Sequence, residues 1–137
     1  MERPEAIDKE YLFDGGVIIS ETDTKGNITY ANRKFCEISG YMKDELIGQP
    51  HNIIRHPDMP KKAFETMWDT IRQGNIWNGL VKNLRKDGRY YWVETTITPL
   101  LDEEGTIIKY AAARKPASEA AVKEAEALYE KMRWEEA

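Results

Sequence analysis

The chain is poor in the features that declare a protein's chemistry at once. It has one cysteine, Cys36, in 137 residues. No internal disulfide can form, which fits a reducing compartment. No apolar run approaches the ~20 residues of a membrane-spanning helix. The opening Met1-Glu2-Arg3-Pro4-Glu5 is charged and lacks the apolar stretch of a secretion signal. A cytoplasmic chain with no membrane span is the expectation. Positive charge is not in excess: the formal net charge is -4, which speaks against general nucleic-acid binding. Also missing are a nucleophile–base pair, a glycine-rich phosphate loop and a carboxylate dyad, so no enzyme is expected. There is no internal repeat and no low-complexity linker.

Hydrophobic residues make up 41% of the chain and charged residues 32%, as in one globular domain with a single core. Four Trp and seven Tyr supply flat surfaces for a core or for a planar cofactor. Both histidines, His51 and His56, fall in the short stretch Gly48–Pro60, with three of the six prolines. Prolines stiffen a loop, and here they bracket two imidazoles, the Arg55 guanidinium and the Asp58 carboxylate. Such a density of recognition groups marks this stretch as one wall of a ligand site. A metal site is not expected, because two histidines five apart lack a third strong ligand.

The elements follow in order. Residues 1–14 form an N-terminal cap, read as helical over Ile7–Phe13. Val17–Ser20 and Ile28–Tyr30 make a β-hairpin around the turn Asp23–Asn27. Asn32 caps a short helix that Gly40 ends, and a further helical turn covers Lys43–Ile47. Asp58 and Pro60 open a longer helix with the apolar stripe Phe64, Met67, Trp68, Ile71. Three strands come next, Ile76–Arg85, Tyr90–Pro99 and Thr106–Arg114, joined by Asp/Gly-bearing turns. Ser118 caps an exit helix whose Ala121, Ala125, Leu128 and Met132 have near-heptad spacing, which points to dimerisation or to an output helix. The sum is an α+β architecture: a five-stranded antiparallel sheet with helices on one face, a sensor domain over residues 15–116, and a C-terminal helix over residues 117–137.

Side chains alternate along a strand. Trp77, Gly79, Val81 and Asn83 therefore share one face of the first of these three strands, and Ile76, Leu80 and Leu84 the other. With the first set inward, an indole and an amide enter the core, and Gly79 leaves room beside the strand. An inward Asn83 needs a partner, because an unpaired buried amide costs roughly 1–3 kcal/mol.

These residues resemble the PAS domain family. The pattern runs Tyr30-Ala31-Asn32, Phe35, Ser39-Gly40-Tyr41, Glu45-Leu46-Ile47-Gly48, Lys86-Asp87-Gly88 and Tyr91-Trp92-Val93. The stretch Gly48–Pro60, with Trp77-Asn78-Gly79 and Lys82-Asn83, narrows the resemblance to the flavin-binding PAS domains of aerotaxis (energy-taxis) receptors, the Aer type. That resemblance implies non-covalent FAD, a redox-sensing role, and a signalling output domain, receptor or chemotaxis protein as partner, with a homodimer expected. It carries Arg55, His56, Asp58 and Trp77 over as flavin-binding positions, with Asn83 at the ring edge and His51 and Asn52 beside them. Arg55, His56 and Asp58 either touch the ligand or hold the loop together; sequence leaves both open. Light-sensing relatives use a cysteine near the place of His51, so adduct photochemistry is not expected. A haem-binding gas sensor using His56 and a ligand-free interaction module are the alternatives.

Overall fold

The computed structural model describes residues 3–137. Strands β1 (Ile18–Thr22), β2 (Ile28–Ala31), β3 (Trp77–Leu84), β4 (Tyr90–Leu101) and β5 (Ile107–Pro116) form one sheet in the order β2-β1-β5-β4-β3. Every pair is antiparallel. Helices α1 (Arg33–Ser39), α2 (Lys43–Leu46) and α3 (Lys61–Arg72), with the 3-10 turn His51–Ile54, lie between the two groups of strands, and α4 (Glu119–Glu136) follows them. The α+β architecture expected from the sequence is the one observed. Among the described residues no helix is long and apolar enough to cross a membrane.

Local chemistry sets the element ends. The Asn32 side-chain oxygen accepts from Phe35 N at 3.0 Å and also from Ile19 N at 3.1 Å, tying the start of α1 to β1. Gly40 ends α1 at φ +80°, a left-handed conformation that costs glycine little. Ser118 Oγ accepts from Ala121 N and starts α4.

Three features differ from the sequence expectation. The N-terminal segment is extended, not helical. Tyr11 N donates to Tyr90 O at 2.7 Å and Tyr90 N to Lys9 O at 3.0 Å. The pairing of β5 with β4 ends at Pro116↔Val93, so the first residues of β4 need other backbone partners, which this segment supplies. Its side chains alternate with period two: Tyr11 and Phe13 are half-buried, while Leu12 between them is 80% exposed.

Asp58 does not cap α3. Pro60 holds the N-cap position and offers no side-chain bond. The Asp58 carboxylate, two residues too early, accepts from Lys82 Nζ at 3.0 Å instead. The cap comes from the far end of the chain, where the two Glu136 carboxylate oxygens accept from Lys61 N at 3.0 Å and Lys62 N at 2.9 Å.

The exit helix differs in which of its residues are packed. Tyr129 stacks on Trp92 with centroids 6.3 Å apart, and its hydroxyl donates to Leu80 O at 2.6 Å. Ala125 and Tyr129 are the buried positions, whereas Leu128 is 54% exposed. The packed stripe is thus rotated from the heptad reading, because the Trp92 ring selects Tyr129.

Candidate functional site

A cavity of about 310 Å³ lies between the inner sheet face and α3. Strand alternation aims Val81 and Asn83 of β3, Thr95 and Ile97 of β4, and Tyr110, Ala112 and Arg114 of β5 into it. α3 contributes the apolar stripe read from the sequence, Phe64, Met67, Trp68 and Ile71, together with Arg72. The proline-rich segment closes the remaining wall with Pro50, His51, Asn52, Ile54 and Arg55.

Arg114 gives the cavity its charge. It is 3% exposed, and among the described residues no carboxylate pairs with it. Nη2 donates to Ser20 Oγ at 3.0 Å and lies 2.5 Å from His51 Nε2. The guanidinium carbon sits 5.3 Å from the Phe35 ring centroid. Nη1 is buried without a partner among the described residues, as is Thr95 Oγ1 on the neighbouring strand. Burial pulls the Arg114 pKa down to about 10, which still leaves it charged at neutral pH. Burial, and then the Arg114 charge, drive His51 well below its ordinary value. His51 is therefore neutral, accepts at Nε2, and carries its proton on Nδ1.

Arg55 and Asn83 meet through an isolated backbone bridge between the loop and β3. The loop thereby extends the sheet by one short edge pairing, with His56 N donating to Lys82 O at 3.4 Å. The Arg55 guanidinium lies 4.1 Å from the Phe64 ring centroid, and Arg72 lies 4.9 Å from that of Trp68. All four also border an open groove of about 510 Å³ along α3, with Lys61, Glu65 and Asp69. Cavity and groove thus share a border made of two cation–π pairs.

The seven site residues read from the sequence separate here. His51, Asn52, Arg55 and Asn83 line the cavity, and His56, Asp58 and Trp77 are not among its lining residues. His56 is 5% exposed, its ring set edge-on to Tyr90, with Nδ1 accepting from Asp58 N at 3.0 Å. Burial, then Lys82, lower its pKa to about 4, so its 3.8 Å approach to the Asp58 carboxylate is not an ion pair at neutral pH. Asp58 borders a second, small cleft with Lys82, Trp92 and Tyr129, on the outer side of the sheet. Trp77 packs beside the cluster of Met67, Ile71 and Tyr110. Its indole also fills the room over Gly79, where an added Cβ would stand 2.6 Å from the ring. That room therefore serves the tryptophan of the same strand.

Sequence reading missed Arg114, Thr95 and Tyr110. The alternation applied to β3 carries the same information for β4 and β5: Tyr110, Ala112 and Arg114 share a face by the same rule. What strand periodicity alone does not reveal is that, among the described residues, Arg114 has no acidic partner.

The description "PAS fold" matches residues 28–114. The chain is 46% identical over 118 residues to the aerotaxis receptor of Escherichia coli (strain K12), covering 86% of this chain and 23% of that protein. It is 36% identical over 102 residues to the nitrogen fixation regulatory protein of Klebsiella pneumoniae, covering 74% of this chain and 21% of the other. The chain thus spans less than a quarter of these relatives. The light-state structure of the blue-light photoreceptor Aureochrome1 LOV is similar, with a TM-score of 0.71 and 25% identity over 78% of this chain and 89% of that one. A light-oxygen-voltage domain studied with a flavin analogue gives a TM-score of 0.70 and 27% identity over 84% and 86%.

Proposed function

The chain belongs to the PAS fold family, and from that premise we propose that it is a redox-sensing module holding FAD non-covalently in the cavity. The observation that carries this reading is the buried Arg114 guanidinium, with no acidic partner among the described residues and with Nη1 unpaired beside the orphan Thr95 hydroxyl. Orphaned buried donors cost roughly 1–3 kcal/mol each, more when charged. A flat ring with carbonyl and imine acceptors along one edge satisfies them, and the apolar and aromatic lining suits its faces. Asn83 offers an amide to the same edge. Arg55 and Arg72, at the border with the groove, suit a diphosphate, which favours the dinucleotide over FMN. His56, Asp58 and Trp77 support this wall from outside the lining.

A bound flavin supplies electron transfer coupled to proton exchange at its ring. Arg114 would hold such a ring through its fixed positive charge and free Nη1, and neutral His51 keeps a proton at Nδ1. Cys36, on α1, does not line the cavity, so no thiol adduct is expected. Asn83 and Arg114 are the residues whose hydrogen bonds would respond to a change of charge in the cavity. Alternate residues of β3 and β4 carry that difference to Leu80 and Trp92 under α4. A ligand shifts an equilibrium only through contacts that differ between its two states. The output lies in a chemotaxis or other signalling partner in the cytoplasm, reached through α4 or a second copy of the chain. A haem ligand needs an imidazole nitrogen free toward the cavity, whereas His51 Nε2 is taken by Arg114 and His56 lies outside the lining.

The test is an absorbance spectrum of the purified protein and chromatography of the heat-released cofactor. Bands near ~370 and ~450 nm with FAD released support the reading. A sharp band near ~400–420 nm replaces it with haem. A colourless protein that takes up no added flavin leaves an interaction module.

A further inference from the structure

The last turn of α4 reaches the segment that joins Arg55, in the cavity lining, to α3. Glu136 closes the N-terminus of α3 through both carboxylate oxygens, on the N–H groups of Lys61 and Lys62. One turn earlier, Arg133 Nη1 donates to Asp58 O at 2.6 Å. One turn before that, Tyr129 OH donates to Leu80 O at 2.6 Å. These contacts join positions about 50 to 75 residues apart in sequence, and all serve backbone groups. The first helical N–H groups otherwise lack partners, and Pro60 at the N-cap supplies none. Segment 55–62 begins with Arg55 in the cavity lining and ends in the first turn of α3, which then places Phe64 and Trp68.

We propose that Glu136 and Arg133 are positioning residues for the cavity wall, so that segment 55–62 and the end of α4 open and close as one unit. A wall shifted by a ligand loosens α4, and a loosened α4 frees the wall, because coupling between two sites is reciprocal. The device does not depend on the ligand being a flavin. Glu136 also carries charge complementarity: the Lys62 and then the Lys61 N–H groups, with Arg55 nearby, hold its carboxyl below the ordinary range.

The test is amide hydrogen exchange on the full chain without ligand, read by peptide mass spectrometry. Glu136→Ala should speed exchange in two separate peptides, one over 58–64 and one over 126–136. A lost helix cap predicts about a five-fold rise. Glu136→Gln, which keeps an oxygen acceptor, should restore most of the protection. Glu135→Ala, the exposed neighbour, should change neither peptide. Tyr129→Phe should also speed exchange over 58–64, although the Tyr129 hydroxyl donates to Leu80 O and not to that segment. A rise confined to α4 in both Glu136→Ala and Tyr129→Phe overturns the proposal. Since no cofactor is needed, this outcome is separate from the fate of the flavin reading.

Discussion

His51 and His56 stand five residues apart in one stiff, proline-marked segment, and they end in different surroundings. His51 lines the cavity, against Arg114. His56 lies outside the lining, edge-on to Tyr90 and tied to the Asp58 backbone. The crossing point is Arg55, whose backbone bridges to Asn83 at the free edge of β3. Pro50, His51, Asn52 and Ile54 before it line the cavity, and residues after it hold the edge and the seat of α4. Proximity in sequence therefore marks a shared segment, not a shared site. Both rings are neutral for the same physical reason, burial beside a cation, yet one neutral ring lines the cavity and the other is held within the fold.

The sharpest way to break this comparison is to remove the charge from the ligand side. Arg114→Met should lower flavin retention about ten- to a hundredfold, the value of a charge-assisted hydrogen bond. The ligand-free chain should be as stable as before or more so, since a buried charge without a counter-charge is replaced by packing. Absorbance of the purified protein and thermal unfolding with and without flavin read both effects. Retained flavin would remove Arg114 from the site.

Acid tests the fold side. A histidine with a depressed folded pKa stays neutral in the fold while the unfolded chain takes up a proton. Stability then falls as pH drops below 6.5 and levels off near 4, with at most about 3 kcal/mol from His56. His51 adds in the same direction. His56→Asn, whose side-chain oxygen can replace Nδ1 as acceptor for Asp58 N, should flatten this dependence in urea unfolding between pH 4 and 7. An unchanged slope would place the effect elsewhere.

Thr95→Val deletes an orphan hydroxyl while keeping its shape. The ligand-free chain should gain up to about 1 kcal/mol, and flavin affinity should fall a few-fold. Equal affinity in a titration would take Thr95 off the ring edge. Asp58→Asn is the smallest expected change. Its ion pair with Lys82 is half-exposed and worth less than about 1 kcal/mol. Flavin content should shift by less than about threefold; complete loss would mean that Asp58 reaches the ligand after all.

The contrast also explains what could be read in advance. Caps at Asn32 and Ser118, the stripe on α3 and the hairpin turns are local signals, so the order of elements and the sheet followed from them. Asn83 and Val81 followed from strand alternation. The extended N-terminus did not, because its cause is the distant end of β5. Asp58 looked like a cap because nothing near it announces Glu136. Gly79 looked like a ligand clearance because the rotamer of Trp77 is settled by α3. Arg114 was missed because its distinction is the lack of an acidic partner among the described residues, which only three dimensions reveal.

The pairing of β1 with β5 has a mechanical side. Ile18 lies opposite Arg114, so the chain enters and leaves the sheet at the same end of two neighbouring strands. A load applied between these two points would peel the strands apart one bond pair at a time, rather than shear the whole ladder at once. Tethers on either side can thus stay close together, and the domain can be spliced into a longer polypeptide like a loop, without forcing its neighbours apart.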